Sequence, residues 1–135
     1  MFLLDTNVVS ELRRPRPHGA VVEWLTATPD ADLAISAVTL GEIQAGIEIT
    51  REQDAPKAAE LESWADLVAG TYNVLPMDAP CFRLWAKLMH RKSDTLYEDA
   101  MIAATALVHE LTVVTRNTGD FEVFEVETFN PFGTA

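Results

Sequence analysis

Short apolar runs alternate with longer amphipathic segments along most of this chain, and this alternation restricts the fold more than any other feature. Five runs have the length and composition of buried or edge strands, at residues 2–4, 33–35, 73–75, 111–114 and 126–129. Six segments have the periodicity and capping residues of helices, at about 6–13, 19–28, 39–51, 55–69, 78–91 and 95–110. The alternation predicts an α/β protein, a three-layer α/β/α sandwich around a mostly parallel sheet. Gly70 is expected to end the fourth helix.

The chain has 135 residues, which is enough for one domain with a hydrophobic core and too few for two. We therefore expect residues 1–135 to form a single domain. No apolar run approaches the ~20 residues that span a bilayer, and the N-terminal residues lack the basic region of a signal peptide. The single cysteine, Cys81, excludes an internal disulfide and fits a reducing compartment. These features predict a cytoplasmic protein with no membrane association.

The net charge is −11, from 21 acidic and 10 basic residues. Proteins that bind nucleic acid through phosphate contacts alone are usually basic. A nuclease with this charge therefore needs metal ions in its pocket, a local basic strip, or both. The basic residues do cluster, in one group of Arg13, Arg14 and Arg16 and a second of Arg83, Lys87, Arg91 and Lys92. Solubility is the alternative explanation for much of the acidic excess.

Asp5 directly follows the first predicted strand. Parallel α/β sheets place their sites at the carboxyl ends of strands, and the segment 115–120 follows another strand in the same way. A helix is predicted to begin just after Asp5, so the carboxylate is also suited to cap that helix. A chemical role and an N-cap role are both consistent with this position.

Glu42 lies three residues after Thr39, which is the spacing of a capping box. Both faces of the predicted helix are largely apolar, with Ala45, Gly46 and Ile49 beside Glu42 and with Leu40, Ile43 and Ile47 opposite. We therefore expect a largely buried helix whose small residues let another backbone approach. The capping role and a role as metal ligand are compatible.

Asp99 lies on the inward face of its predicted helix, since Ile102, Ala103 and Ala106 follow it at helical spacing. An unpaired buried carboxylate is costly or takes up a proton. No lysine or arginine lies within helical reach of Asp99 to neutralise it. A bound metal ion is the simplest counter-charge.

Glu98 completes a capping box with Thr95, so we assign Glu98 a structural role and Asp99 a chemical one. Asp5, Glu42 and Asp99 remain as the candidate metal ligands. Magnesium prefers carboxylate oxygens and keeps several waters. A metal held by these acids lowers the pKa of its water and stabilises charge on an attacked phosphate. The residues therefore predict a site for Mg²⁺ or Mn²⁺ that hydrolyses phosphodiesters.

Four segments of the sequence resemble the motifs of PIN domains, in particular those of VapC-type toxins. They are residues 3–11 (LLDTNVVSE), 36–43 (SAVTLGEI), 98–106 (EDAMIAATA) and 114–121 (VTRNTGDF), the last followed by 129–132 (FNPF). Their order and spacing match over essentially the whole chain. Four motifs together are specific, whereas any one alone would not be.

The resemblance implies a PIN fold, an acidic metal site and endonucleolytic cleavage of RNA. It also implies a homodimer and inhibition by a small antitoxin encoded beside the toxin. Asp5, Glu42 and Asp99 occupy the first three acidic positions of the family pattern. The fourth position, often aspartate, is Asn117 here. Asp120 either substitutes for that acid or is a loop residue, which leaves open whether one or two metals bind.

Two other functions remain open from the sequence. A phosphatase of the haloacid dehalogenase type also has an aspartate after its first strand, but it needs a second one where this chain has Asn7. A PIN-like module with a decayed site, kept only to bind a partner, would account for Asn117. Metal-dependent cleavage of RNA by the purified chain distinguishes both from a nuclease.

Overall fold

A computed structural model describes residues 1–133 of the chain. Five strands form one sheet, and they are β1 (Phe2–Leu4), β2 (Leu33–Ser36), β3 (Asn73–Leu75), β4 (Thr112–Val114) and β5 (Thr128–Phe129). The strand order is β3-β2-β1-β4-β5, and every neighbouring pair is parallel. The expectation of a mostly parallel sheet is therefore confirmed, and every strand pair of this sheet is parallel.

Helices connect the strands. They are α1 (Thr6–Glu11), α2 (Gly19–Ala27), α3 (Ala37–Arg51), α4 (Ala55–Thr71), α5 (Ala79–Met89), α6 (Tyr97–His109) and α7 (Thr118–Phe121). Among residues 1–133, no helix combines the length and the apolar character needed to cross a membrane. α7 is a single turn after β4, and its four residues are too few to produce a periodic pattern in the sequence.

The sheet separates two apolar cores, because successive side chains of a strand point to opposite faces. Leu4, Ile35 and Val114 pack with α1, α2, α3 and α4 on one face. Leu3, Ala34 and Val113 pack with α5, α6 and α7 on the other. All six of these strand residues are buried. This arrangement is the expected three-layer α/β/α sandwich, and the free thiol of Cys81 is buried within it.

The strand order reverses at β1. The chain runs outward from β1 through β2 to β3, and later returns to the other side of β1 for β4 and β5. Parallel α/β proteins bind ligands at such a point, at the carboxyl ends of the strands. Asp5 and Thr115 extend the pairing there: the Asp5 N–H donates to the Val114 carbonyl (2.9 Å), and the Thr115 N–H donates to the Phe129 carbonyl (2.9 Å).

The start of α3 differs from the prediction. The helix begins at Ala37 rather than Thr39, and Ser36 caps it, with Ser36 Oγ accepting from the Val38 N–H (3.1 Å). The predicted Thr39–Glu42 capping box is therefore wrong. Ser36 also ends a buried strand, and its hydroxyl serves as a cap because strand and helix meet without a loop.

The exposure of α3 also differs from the prediction of a buried helix. Ile43 and Ile47 are buried, but Ala45, Gly46 and Ile49 are exposed. No neighbouring atom lies within 4 Å of the position that a Cβ would take on Gly46. The apolar residues on this second face therefore belong to an open surface.

Two further helix boundaries differ from the prediction. Gly70 lies inside α4, which continues to Thr71. Residues Asp94–Leu96 form a 3₁₀ turn that Ser93 caps, and α6 begins only at Tyr97. The predicted Thr95–Glu98 capping box is therefore wrong, which frees Glu98 from the structural role assigned to it.

Candidate active site

Asp5 lies at the centre of the carboxyl edge of the sheet, and three neighbours hold its side chain. Oδ1 accepts from the Thr6 N–H (2.8 Å), so Asp5 is the N-cap of α1. Oδ2 accepts from the Thr115 hydroxyl (2.8 Å) and from Asn7 Nδ2 (3.2 Å). The side chain therefore combines the capping position and the site position that the sequence leaves as alternatives.

Opposing effects set the pKa of Asp5. Burial raises the pKa, hydrogen bonds from Thr115 and Thr6 lower it, and the nearby charge of Asp120 raises it. Burial is the largest effect, so the pKa lies above the ordinary aspartate value. In the absence of a cation, the site resists ionisation of its central acid.

Glu42 reaches the site from the second turn of α3. The Thr6 hydroxyl donates to Glu42 Oε1 (3.1 Å) and lies equally close to Thr39 Oγ1. Burial raises the pKa of Glu42 to about 7, and the charge of Glu98 and a hydrogen bond with it contribute to that rise. Asp5 adds a smaller repulsion. Glu42 therefore faces two other carboxyl groups, and no lysine or arginine of residues 1–133 forms an ion pair with it.

Asp99 lies in the first turn of α6 and is half-buried. Ile102, Ala103 and Ala106, on the same face of the helix, are buried as predicted. Burial raises the pKa of Asp99 to about 6, and the charges of Asp5, Asp120 and Glu98 follow in that order. Within residues 1–133, no lysine or arginine forms an ion pair with Asp99.

Asp120 and Asn117 differ in what they contribute. Asp120, in α7, raises the pKa of both Asp5 and Asp99, which places its charge at the cluster. Asn117 precedes α7, and its side chain makes no capping hydrogen bond. Its backbone N–H donates to Thr115 Oγ1 (3.0 Å). The structure therefore brings Asp120, rather than the Asn117 side chain, into electrostatic contact with the other acids.

Sequence reasoning missed four residues of this cluster. The sequence pattern assigns Glu98 to capping, yet Glu98 repels Glu42 and Asp99. Thr6, Asn7 and Thr115 hold the carboxylates by hydrogen bonds. A usable signal is present: each hydroxyl or amide stands within a few residues of the carboxyl end of β1 or β4.

The donors in this cluster suit a hard divalent cation. They are carboxylate and hydroxyl oxygens, and the pKa values of Asp5, Glu42 and Asp99 are raised. In the part of the chain that the structure describes, none of these three acids forms an ion pair with a basic side chain. Within residues 1–133, no three carboxylate, imidazole or thiol groups already enclose a point where a metal could sit. A complete set of three ligands is thus not preformed among these residues, and Mg²⁺, which keeps several waters, requires few protein ligands.

A cavity of about 340 Å³ extends from Glu42 between α1, α3 and α4. Arg13, Lys57 and Trp64 line its wall, together with the open surface of α3 at Gly46. The cavity thus joins acidic, basic and aromatic surface, which suits an extended charged ligand more than a small apolar one.

The fold and this cluster define an α/β protein with an acidic site where the strand order reverses. Residues 2–126 match the PIN domain family, and the chain belongs to that family. Two curated relatives cover nearly the full length. Toxin FitB of Neisseria gonorrhoeae is 37% identical, over 98% of this chain and 99% of FitB. VapC ribonuclease Y4jK of Sinorhizobium fredii is 34% identical, over 100% of both chains.

Solved structures share the fold. The crystal structure of FitAcB from Neisseria gonorrhoeae has a TM-score of 0.87 and 35% identity, over 99% of this chain and 100% of that chain. A toxin–antitoxin complex from Klebsiella pneumoniae has a TM-score of 0.75 and 26% identity, over 99% and 100%. The predicted fold and the resemblance to VapC-type PIN domains are confirmed.

Proposed function

We propose that this chain is a metal-dependent endoribonuclease, the toxin of a toxin–antitoxin pair, and that residues 1–135 form one PIN domain. The observation that carries the proposal is the group of Asp5, Glu42 and Asp99, whose pKa values are raised by burial and, to a smaller extent, by neighbouring carboxylates. Perturbed acids grouped in a crevice are typical of functional sites. The relatives named as a VapC ribonuclease and a toxin support the same activity.

Mg²⁺ or Mn²⁺ is the cofactor proposed for this cluster, with Asp5, Glu42 and Asp99 as its ligands. When bound, such an ion supplies a reactive water and stabilises charge on the attacked phosphate. Thr115 and Asn7 hold Asp5 Oδ2 in a fixed orientation, as partners behind metal ligands commonly do. Loss of the proton from Glu42, which has a pKa of about 7, adds a negative charge to the cluster near neutral pH.

The fourth acidic role goes to Asp120 in this proposal. Its charge acts on Asp5 and Asp99, which the neutral side chain of Asn117 does not do. Asn117 is retained as a substrate-contacting candidate at the edge of the cluster, where its side chain is exposed. A second metal is therefore compatible with this chain without an aspartate at position 117.

The decisive experiment is cleavage of RNA by the purified chain in EDTA and with Mg²⁺ or Mn²⁺. We expect cleavage only with metal, and sequencing of the new RNA ends then identifies the target. A Glu42→Gln variant prepared identically controls for contaminating nucleases. Equal cleavage by both proteins, or cleavage in EDTA, would contradict the assignment.

We further propose that a small antitoxin inhibits the enzyme by placing a basic segment against the acidic cluster. Similarity to a chain of a toxin–antitoxin complex supports this partner. An arginine fork pairs well with two carboxylates. Co-expression with the adjacent small gene should give a stable complex without nuclease activity. A fully active complex, or no complex, would count against it.

A cytoplasmic homodimer completes the proposal. An aromatic cluster on α5 and α6 supports the dimer, because Phe82 and Tyr97 are 46% and 44% exposed beside Trp85. Exposed aromatic residues are enriched at protein interfaces. Light scattering should give twice the chain mass, and Phe82→Ser should reduce it. A monomeric wild type would contradict the dimer.

Neither alternative function gains support. Asn7, where a haloacid dehalogenase would have its second aspartate, donates to Asp5 and accepts from the Arg116 N–H. The Asn7 amide therefore positions Asp5, and both of its polar atoms have partners that an aspartate could not serve in the same way. The decayed-module hypothesis relies on Asn117, and Asp120 offers an acid in its place. Membership of the PIN family favours the nuclease over the phosphatase.

A further inference from the structure

Three arginines surround a depression beside the acidic cluster of a protein whose net charge is −11. The depression has a volume of about 300 Å³ and is lined by Asn7, Ser10, Glu11, Arg13, Arg14 and Arg116. Three arginines and one glutamate give this lining a local charge of +2. The sign of the charge is therefore inverted locally, next to the acids that define the site.

Asn7 connects the depression to the acidic cluster. Its Nδ2 donates to Asp5 Oδ2 (3.2 Å), and its Oδ1 accepts from the Arg116 N–H (3.2 Å). One asparagine side chain therefore spans the distance from the central acid to the backbone that carries an arginine. The depression and the acidic cluster are therefore adjacent.

Two of the arginines are held in position by interactions that leave donors free. The Arg116 guanidinium stacks on the Phe132 ring, 4.4 Å from its centroid, and stacking occupies the face rather than the N–H edge. Arg14 pairs with Glu11 (3.3 Å), whose side chain is only 7% exposed. The arginines therefore present donors at lower entropic cost than free side chains would.

Arg13 lies where the depression meets the cavity that extends from Glu42, since it lines both. Within residues 1–133, neither Arg13 nor Arg116 forms an ion pair with a carboxylate. The chain has about twice as many acidic as basic residues. Exposed arginines that lack acidic partners are therefore unusual here, and their position beside the acidic cluster indicates an anionic ligand.

We propose that this depression is a phosphate subsite, in which Arg13 and Arg116 bind the RNA backbone phosphate adjacent to the one cleaved. The inference rests on the proposed nuclease function. The guanidinium fork matches two phosphate oxygens, and a polynucleotide repeats that group at every residue. Arg14 is assigned only a supporting role in the subsite, because its guanidinium already forms an ion pair with Glu11. The subsite lets an acidic protein hold a polyanion by its backbone without base contacts.

The test measures KM and kcat on a short RNA that the wild type cleaves at one position. Arg13→Gln and Arg116→Gln should each raise KM about tenfold, as expected when one charge-assisted hydrogen bond is removed, and leave kcat near wild type. The slope of log KM against log salt should fall by about 0.7 for each phosphate that the variant no longer neutralises. Arg51→Gln, which removes an exposed charge at the end of α3 outside both basic clusters, is the matched control and should change neither.

RNA substrates with one uncharged backbone linkage identify the phosphate that the arginines bind. In the wild type, an uncharged methylphosphonate at one position next to the cut should raise KM. In the double variant that carries both Arg13→Gln and Arg116→Gln, the same substitution should leave KM unchanged. Equal sensitivity in both proteins would overturn the subsite. Unchanged KM in the variants with weakened antitoxin binding would also overturn it, and would assign the arginines to a protein interface.

A binding assay distinguishes failure of the nuclease proposal from failure of the phosphate subsite. If the wild type cleaves no RNA, binding of the same oligonucleotide in EDTA still tests the arginines by fluorescence anisotropy. Weaker binding by the double variant than by Arg51→Gln supports the subsite. Identical binding by wild type, the double variant and Arg51→Gln overturns it.

Discussion

At the scale of the residue, hydrogen bonds to both oxygens of Asp5 give this side chain a capping role and a fixed orientation in the acidic cluster. Oδ1 caps α1 through the Thr6 N–H, while Oδ2 receives the hydroxyl of Thr115 and the amide of Asn7. These three hydrogen bonds together fix the orientation of the carboxylate. Thr115 is fully buried, so its hydroxyl has few alternative partners and holds that orientation firmly.

Thr115→Val should therefore reduce activity without emptying the core, since valine replaces the hydroxyl by a methyl group. The pKa of Asp5 should rise further, because Thr115 supplies the largest lowering effect on it. We expect metal affinity and kcat/KM to fall about 10- to 100-fold, the usual effect of losing a partner behind a ligand. Thr115→Ser is the control and should stay near wild type. A valine variant with normal Mn²⁺ titration would contradict the role.

Asp5→Asn and Asp99→Asn should each abolish cleavage while leaving the fold intact. Each change removes one charge from the proposed metal site with little change in volume. Glu42→Gln should be severe and Asp120→Asn milder, because Asp120 is exposed at the edge of the cluster. Cleavage assays at saturating Mg²⁺ measure this order, with the exposed Asp66→Asn on α4 as control. Near-normal turnover in either of the first two variants would refute the site, and equal loss at Asp120 would make it a full ligand.

At the scale of the element, α3 positions Glu42 because its first turn follows directly from β2. Ser36 ends the strand, caps the helix and is fully buried. Ile43 and Ile47 fix the rotation of the helix against the sheet. The carboxylate of Glu42 is thus directed toward α1, where the Thr6 hydroxyl meets it.

Ser36→Ala should destabilise the protein by about 1 kcal/mol, the typical cost of removing an N-cap hydroxyl. Urea unfolding followed by circular dichroism measures the change. Ser63→Ala, at an exposed position within α4, is the matched control and should be neutral or slightly stabilising, since alanine favours helix. A loss at Ser63 as large as that at Ser36 would show that the cap is not the cause.

Local patterns predicted the elements better than the contacts between them. The strands and long helices follow from apolar runs and periodicity, and Asp5 and Asp99 follow from acids placed against that pattern. Glu98 and Thr115 could not be assigned locally, because their partners lie far away in sequence; Thr115 is separated from Asp5 by 110 residues. Both capping boxes failed for a related reason: a preceding serine, Ser36 or Ser93, already begins the helical turn.

At the scale of the whole molecule, the raised pKa values make the stability of the metal-free protein depend on pH. The pKa of Glu42 shifts from 4.5 to about 7 and that of Asp99 from 3.8 to about 6. The folded state then binds more protons than the unfolded chain between these values, so stability falls as pH rises. The contribution is complete below the unfolded pKa values and is lost as pH passes through the folded ones.

In EDTA, the melting temperature should therefore decrease from about pH 5 to about pH 7.5. With Mn²⁺ the decrease should disappear, because the metal binds the ionised acids and competes with protons for them. Asp78, Glu48 and Glu62 have lowered pKa values and act in the opposite direction only at more acidic pH. Thermal melts across this range measure the trend. A metal-free protein that gains stability toward pH 7.5 would contradict it.

Asp99→Asn should relieve part of the same repulsion permanently. At about pH 7.5 in EDTA, the variant should melt above wild type. Mg²⁺ should raise wild type much more, since a ligand of the native state stabilises by about 2.7 kcal/mol at 100 times its Kd. Four melting curves, two proteins each with EDTA and Mg²⁺, decide the matter. A wild type that is the more stable protein in EDTA and indifferent to Mg²⁺ would mean that no such site exists.

The central position of β1 imposes an order on synthesis. Residues 2–4 pair with both β2 and β4. During synthesis, the backbone groups on one edge of β1 therefore have no strand partner until residues 112–114 have been translated. Asp5 likewise waits for Thr115, which lies 110 residues later. A nascent or truncated chain that stops before β4 therefore has neither a closed sheet nor an assembled acidic cluster. The acidic cluster can therefore assemble only after β4 and Thr115 have been translated.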